Sequence, residues 1–205
     1  GSVVGNLIIV DDGLDIDCTK QGSGSWSIPS TVEHLGFKTK AKFILVVETT
    51  ALFDRLNKHK YWQKSNCICV ATAGVPTRNT RRFVRRLADD MKLPVYVFTD
   101  GDPYGYANIY RTFKVGSGNA AHINKFFCVP QAQFLGVTPD DIIQFKLPTH
   151  PLKDVDVKRA KDALKNDPFI LANKEWQKAI QKMIKMKVRA EQQAFAAHGL
   201  NYVHQ

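Results

Sequence analysis

The chain has 205 residues, of which 44% are hydrophobic and 23% charged, and its formal net charge is +10. This ordinary globular composition and this length suffice for a buried core, so they exclude a disordered tail, a collagen-like repeat and a disulfide-stapled miniprotein. No apolar run reaches the roughly 18–20 residues that cross a bilayer, so we expect no membrane partner.

The positive charge is concentrated in two stretches of the chain. Residues 41–100 carry 11 basic and 5 acidic side chains, and residues 151–205 carry 11 and 6. Such concentration favours two faces turned towards a polyanion such as DNA. A basic protein without a polyanionic partner is the alternative that charge alone leaves open.

The predicted elements begin with a β-rich lead-in over residues 1–40, in which residues 11–13 (Asp-Asp-Gly) mark a turn. A regular alternation follows. Buried apolar runs predict strands at 43–47, 67–71 and 95–99, and helical spacing predicts helices at 49–59, 78–91 and 104–114. Alternating strands and helices with short connections indicate an α/β fold with a parallel sheet covered on both faces.

The remaining chain is less regular. Residues 126–129 and 133–135 resemble short strands, and Thr138 opens a short helix. Two helices are predicted at about 155–166 and 173–197, the second of them amphipathic. We therefore divide the chain into a lead-in at 1–40, a core at 41–150 and a C-terminal helical extension at 151–205, packed on the core.

Four cysteines are too few and too scattered for a disulfide framework or for a zinc site. Cys67 and Cys69 lie in the second apolar run. We expect buried free thiols there, pointing to opposite faces of the strand.

Three carboxylates follow predicted strands of the sheet. Glu48 follows the first strand, and Asp100 and Asp102 follow the third. Ligands of open parallel sheets bind beyond the carboxyl ends of the strands, so these acids are expected at the functional edge. Carboxylates brought together repel one another unless a cation neutralises them, and Mg²⁺ suits an all-oxygen site with few protein ligands. Taken alone, an aspartate after a strand is usually a turn residue or a helix cap, and Asp-x-Asp by itself is a weak signal.

The predicted helix at 78–91 carries a second pattern. At 100° per residue its five arginines fall within an arc of roughly 140°, with apolar residues opposite. A one-sided arginine face suits the backbone of a nucleic acid, and pairing with acids of this chain is the alternative. The five residues are Arg78, Arg81, Arg82, Arg85 and Arg86.

The sequence resembles a Toprim domain, whose motif is one glutamate after a buried strand and a later Asp-x-Asp. Glu48, Asp100 and Asp102 match it. More specifically, it is similar to the A subunit of type IIB DNA topoisomerase VI, a family shared with the meiotic double-strand-break transesterase. The resemblance extends over about residues 35–203, and the further matching motifs lie at 80–83, 100–105, 115–117, 130–137, 191–193 and 199–200.

The resemblance implies a Toprim (Rossmann-like) fold in which Glu48, Asp100 and Asp102 bind Mg²⁺ and serve catalysis. It further implies ATP-dependent cleavage, passage and religation of double-stranded DNA by a homodimeric full-length protein, with ATP bound by a separate B subunit. The compartment would be the cytoplasm (nucleoid) in an archaeon and the nucleus in a eukaryote.

One part of the family pattern has no match in this chain. The family's nucleophilic tyrosine lies in an N-terminal winged-helix domain after arginines, and none of the six tyrosines here has that context. The chain also starts at Gly1 rather than Met, so we expect the Toprim piece of a longer protein, inactive by itself. A Toprim nuclease or primase-like enzyme and a non-catalytic DNA-binding dimerisation module stay open as alternatives.

Overall fold

The computed structural model describes residues 1–116 and 126–192. Within these ranges the chain forms two compact units. Unit 1 comprises Gly1–Val97 and Phe113–Gln133, and unit 2 comprises Phe98–Thr112 and the described part of Phe134–Gln205.

The strands of the described chain are β1 (Ser2–Gly5), β2 (Ile8–Asp11), β3 (Leu14–Asp17), β4 (Trp26–Ser27), β5 (Gly36–Lys38), β6 (Phe43–Val47), β7 (Cys67–Ala71), β8 (Val95–Phe98), β9 (Ala132–Gly136), β10 (His150–Pro151) and β11 (Val188–Arg189). The helices are α1 (Thr50–Lys58), α2 (Tyr61–Ser65), α3 (Arg78–Met91), α4 (Arg111–Val115), α5 (Pro139–Gln144), α6 (Asp154–Asn166), α7 (Pro168–Leu171) and α8 (Lys174–Met186), and a π-helix at Gly105–Tyr110 precedes α4.

The central sheet has the strand order β4-β1-β7-β6-β8-β9. Strands β6 and β7 pair in parallel from Phe43 opposite Cys67 to Val47 opposite Ala71. Their apolar residues are almost all buried, as expected for strands covered on both faces. The predicted α/β class, a sheet flanked by helices after a β-rich lead-in, is confirmed. The sheet is mixed, however, because β1 from the lead-in pairs antiparallel with both β4 and β7.

The rest of the lead-in forms a small sheet of its own, with the order β3-β2-β5 and antiparallel pairing throughout. The predicted turn at residues 11–13 joins β2 to β3. Asp12 and Gly13 both adopt positive φ there, which a two-residue hairpin turn requires.

The core of unit 2 is built from helices α6, α7 and α8 and the π-helix. Tyr106, Ile170, Ile180 and Met183 are buried in it. Trp176 stacks on Tyr110 with ring centroids 4.3 Å apart. This cluster accounts for the apolar stripe of α8, which is therefore core.

Three local predictions are wrong. Helix α8 ends at Met186 instead of continuing to about 197, because Lys187 is left-handed (φ 58°) and β11 then pairs with β10. Residues 193–197 of that prediction lie outside the described residues. The expected strand at 126–129 is absent, since Phe126 and Phe127 are helical and the next two residues are irregular.

The third concerns the cysteines of β7. The sulfur atoms of Cys67 and Cys69 are 3.9 Å apart on one face of the strand, because residues two apart in a strand point the same way. Both are buried, and all four cysteines are free thiols. In the described part of the chain, no helix has both the length and the hydropathy to span a membrane.

Candidate metal-binding site

The candidate site is the loop that follows β8. Asp100 and Asp102 lie two and four residues after the end of the strand, with buried Gly101 between them. Both aspartates belong to unit 2. Sequence and structure agree that the two carboxylates share one short loop at a strand end.

Asp102 is held by the start of the following helical segment. Its Oδ1 accepts a hydrogen bond from the Gly105 N–H at 2.8 Å. This is the geometry of a helix cap, so the capping interpretation of the acid is confirmed for this residue. Gly105 is required there, because a Cβ atom on it would lie 2.5 Å from both the Asp100 carbonyl oxygen and Thr99 Oγ1.

Asp100 is held by a segment far away in sequence. Its Oδ1 accepts a hydrogen bond from the Gln192 N–H at 2.8 Å. Between the two aspartates, Gly101 and Ala190 form an isolated antiparallel bridge, with N···O distances of 2.7 and 3.2 Å. The loop is therefore fixed from two sides, and each carboxylate has one oxygen already engaged.

Burial dominates the electrostatics of the pair. It raises the pKa of the Asp102 carboxyl, which is only 9% exposed, and the neighbouring charges of Asp100 and Asp156 raise it further. Burial likewise raises the pKa of Asp100, with a smaller contribution from Glu191. The Gly105 and Gln192 N–H groups and the charge of Arg189 oppose these shifts. Two adjacent carboxylates, one buried and one partly buried, are destabilised as anions, and a cation relieves that cost.

The third predicted ligand, Glu48, lies elsewhere in the chain. It is half-buried directly after β6, and its carbonyl oxygen accepts a hydrogen bond from the Gly74 N–H at 3.0 Å. Glu48 belongs to unit 1, whereas the aspartates belong to unit 2. Among residues 1–116 and 126–192, no three Asp, Glu, His or Cys side chains are arranged as a metal-ligand group. The three-carboxylate set therefore stays a prediction.

The residues of the loop fit a hard divalent cation. Carboxylate oxygens are the ligands that Mg²⁺ takes, and it usually binds few of them and keeps several waters. Both aspartates are held in place by N–H groups, and a cation that takes few protein ligands suits such a pair. The donor set contains no sulfur or imidazole, so it does not favour zinc.

The arginine face of α3 is largely engaged within unit 1. Arg81 is buried, and its Nε donates to the Thr77 carbonyl oxygen. Acids near the helix engage three others. The ion pairs are Arg82 with Glu33, Arg85 with Asp89 at 2.7 Å and Arg86 with Asp90 at 3.3 Å.

Arg78 differs from the other four. It is exposed at the start of α3, and its guanidinium lies 5.8 Å from the centroid of the Phe127 ring. A contact between DNA and the other four arginines would compete with their internal partners. The DNA-binding prediction for the whole face is thus best supported at Arg78.

In the described part of the chain, each tyrosine is either buried or packed against a neighbouring side chain. The Arg159 guanidinium lies over the ring of Tyr104, 4.6 Å from its centroid. Tyr106 and Tyr110 are buried in the aromatic core of unit 2, and burial raises the pKa of Tyr110 to about 12. Tyr61 is buried, and Tyr96 packs edge-on against Phe43. Tyr202 lies outside the described residues.

Sequence reasoning missed the contribution of residues 189–192 to this site. The motif at 191–193 belongs to the family pattern, but the sequence does not reveal what it contacts. Only the folded chain brings it to Asp100, which is 92 positions away from Gln192.

The fold and the paired aspartates at the end of a sheet strand define a Toprim-class α/β domain. Comparison with known proteins agrees. Residues 43–205 match the family model for the Toprim domain shared by the A subunit of topoisomerase 6 and Spo11. Residues 1–41 match the model described as "All-beta domain in DNA topoisomerase VI alpha subunit". The chain therefore belongs to the family formed by Spo11 and the topoisomerase 6 A subunits.

Curated relatives support this membership. The chain is 55% identical to the A subunit of type 2 DNA topoisomerase 6 from Methanocaldococcus jannaschii, over 98% of this chain and 56% of the relative. It is 41% identical to the protein of the same name from Pyrococcus abyssi, over 99% of this chain and 56% of the relative. The corresponding Methanothermobacter thermautotrophicus protein is 38% identical, over 98% and 57%. The chain thus spans little more than half the length of these relatives.

Proposed function

We propose that this chain is the metal-binding portion of the A subunit of a type IIB DNA topoisomerase, which supports ATP-dependent cleavage, passage and religation of duplex DNA. The observation that carries the proposal is the pair Asp100 and Asp102, partly buried and buried respectively in one loop at a strand end. Family membership provides the context in which such a pair acts on phosphodiesters.

In this proposal Glu48, Asp100 and Asp102 hold Mg²⁺. When bound, Mg²⁺ orients the phosphodiester and offsets charge on the leaving 3′-oxygen. Glu48 also relays a proton to or from that oxygen. The hydrogen bonds from Gly105 and Gln192 keep the two aspartates in position, and phosphoryl transfer depends mainly on such positioning and on electrostatics.

The other participants lie outside this chain. We propose that the attacking tyrosine comes from a winged-helix domain of the same protein. We further propose that the full-length protein is a homodimer, while ATP binds to a separate B subunit. In an archaeal cell the protein would act in the cytoplasm, at the nucleoid; in a eukaryote it would act in the nucleus.

The arginine face of α3 would contact the DNA backbone. Arg78 is the leading candidate, since its side chain is exposed. Arg81, Arg82, Arg85 and Arg86 would join it only by exchanging internal partners for phosphate oxygens. Contacts of this kind position a duplex without reading its sequence.

The test is calorimetric titration of the 205-residue chain with Mn²⁺ and Mg²⁺. We expect weak binding by the parent chain, strongly reduced by Asp100→Asn and lost in the variant with alanine at Glu48, Asp100 and Asp102. Asp12→Asn is the matched control. It removes the same charge at an exposed turn of the lead-in, where asparagine tolerates the positive φ.

Unchanged Mn²⁺ binding by the triple variant would refute the site. Adduct-free DNA hydrolysis by this chain alone, dependent on Asp100, would favour a Toprim nuclease instead. Equal DNA affinity with and without Mg²⁺, together with no metal binding, would favour a non-catalytic DNA-binding module.

A further inference from the structure

The segment at 189–192 contacts the loop that carries Asp100 and Asp102. Ala190 exchanges two backbone hydrogen bonds with Gly101, and the Gln192 N–H donates to Asp100. The segment begins in β11, whose Arg189 pairs with His150 of β10. These contacts fix two side chains of the segment, Arg189 and Gln192, next to the aspartate loop.

These two side chains carry buried polar atoms that lack partners. Among the described residues, Arg189 Nε and both amide atoms of Gln192 are buried without a hydrogen bond. The Gln192 side chain lies beside the Asp100 carboxylate and lowers its pKa. Buried donors are rarely left unpaired in folded proteins, because their desolvation is then uncompensated. These donors lie beside the loop that carries the two aspartates. Their position indicates that a bound ligand accepts the hydrogen bonds that they do not make within the chain.

Charge identifies the chemistry of that ligand. Arg189 directly precedes Ala190, whose backbone bridges to Gly101 between the two aspartates, so its positive charge acts on both carboxylates. Its Nε hydrogen nevertheless reaches no acceptor in the described part of the chain. A cation bound by the aspartates would neutralise them and release Arg189 towards another anion. Guanidinium groups prefer phosphate oxygens, which they bind with two parallel hydrogen bonds.

We infer that Arg189 binds a phosphate oxygen of the DNA backbone at the carboxylate site, presented by the same segment that holds Asp100 in place. This inference rests on the proposed function, since it requires a divalent cation on the aspartates. In this arrangement Gln192 is a positioning residue, acting through Asp100. Arg189 is a direct ligand of the nucleic acid.

The inference predicts opposite effects on two affinities in one variant. In Arg189→Gln the aspartates lose a neighbouring positive charge, so Mn²⁺ should bind as tightly as in the parent chain or a few-fold more tightly. At saturating Mn²⁺ the same variant should bind a short duplex about tenfold more weakly, because a charge-assisted hydrogen bond is lost. Arg189→Lys should recover only part of the duplex affinity, since an ammonium cannot bind two oxygens side by side.

Lys187→Gln is the matched control. It removes one positive charge two residues away, from an exposed side chain at the end of α8. Calorimetry with Mn²⁺ and fluorescence anisotropy with a labelled duplex, at one salt concentration, would be measured on all four chains. We expect Lys187→Gln to weaken duplex binding much less than Arg189→Gln.

The outcomes separate the inference from the proposed function. If Arg189→Gln binds Mn²⁺ normally and weakens duplex binding no more than Lys187→Gln, the inference is wrong and the metal site stands. If Arg189→Gln lowers both affinities together, Arg189 only supports the fold of the loop, and the inference is again wrong. A parent chain that binds no Mn²⁺ overturns the proposed function itself.

Discussion

Gly105 shows how narrowly the aspartate loop constrains its residues. The helical segment after the loop starts so close to it that a Cβ atom at Gly105 would meet two oxygens at 2.5 Å, one from Asp100 and one from Thr99. The Gly105 N–H is at the same time the donor that holds Asp102. One small residue therefore sets both the closeness of the loop to the helix and the position of a carboxylate.

Replacing this glycine should disturb stability and metal binding together. We predict that Gly105→Ala destabilises the chain by about 1–3 kcal/mol, because backbone and side-chain oxygens must move to admit the methyl group. Mn²⁺ affinity should fall as well, since Asp102 shifts with its donor. Thermal unfolding and calorimetry would measure the two effects.

Gly24→Ala serves as the comparison for this prediction. The nearest atom to a Cβ there is the Gln21 carbonyl oxygen at 3.4 Å, which is an ordinary contact. That variant should keep the stability and metal affinity of the parent chain. A Gly105→Ala chain that also kept both would show that the loop is more tolerant than its geometry indicates.

Helix α3 has an apolar face and an arginine-rich face. Phe83, Val84 and Leu87 are fully buried on one side. On the other side, three arginines pair with acids of the chain, Arg81 is buried and Arg78 is exposed. The Arg82 guanidinium makes two hydrogen bonds with Glu33, and these lower the pKa of that carboxyl. The arginine face is thus partly structural.

We predict that Arg78 and Arg82 respond differently to substitution. Arg78→Gln should weaken binding to every duplex alike and reduce the salt dependence by about one unit of slope, as expected when one phosphate contact is lost. Arg82→Gln should affect DNA less and instead cost about 0.5 kcal/mol of stability, a small value because Glu33 is largely exposed.

The stability effect of Arg82→Gln should depend on pH in a defined direction. The folded-state pKa of Glu33 lies below its unfolded value, so the pair stabilises the chain above the unfolded pKa. That contribution disappears as the pH falls through the folded pKa. Denaturant unfolding at neutral and strongly acidic pH should therefore show a difference between parent and variant only at neutral pH.

A changed sequence preference in Arg78→Gln with an unchanged salt slope would contradict the assignment of Arg78 to the DNA backbone.

The sequence predicted an element correctly where neighbouring residues of the same segment determine that element. Continuous apolar runs predicted strands β6 and β7, and α3 spans the predicted residues 78–91. The end of α8 was not predictable in this way. Apolar spacing continues through Ile184 and Val188, and what stops the helix is the pairing of β11 with the distant strand β10, which no local window contains.

The same limit applies to the candidate site. Asp100 and Asp102 were identifiable because they follow a strand within one short loop. Arg189 and Gln192 were not, because only a long-range bridge brings their segment to Gly101. The internal acid partner of Arg82 was also invisible, since Glu33 lies 49 positions away in the lead-in.

At the scale of the whole chain, we predict that it neither cleaves nor relaxes DNA by itself. A transesterase needs a tyrosine oxygen in line with the scissile phosphorus. The described tyrosines pack in cores or against aromatic or cationic neighbours. Supercoiled plasmid incubated with Mg²⁺ or Mn²⁺, then denatured and searched for protein-linked ends, should show no adduct.

Two results would change this view. Covalent adducts that disappear in Tyr104→Phe would make Tyr104 the nucleophile, despite its contact with Arg159. Nicking without an adduct, lost in Asp100→Asn, would identify water as the attacking group and make the chain a nuclease.

The division of the chain into two units has a consequence for its synthesis. Each unit combines two separate stretches, so unit 1 still lacks Phe113–Gln133 when Val97 leaves the ribosome. By the time Gln133 has emerged, Phe98–Thr112 of unit 2 has been made as well. The first unit therefore cannot complete its fold before translation of the second has begun. For the same reason no single stop codon or protease cut separates the two units from each other, and a chain truncated at any position from 98 to 132 leaves both units incomplete.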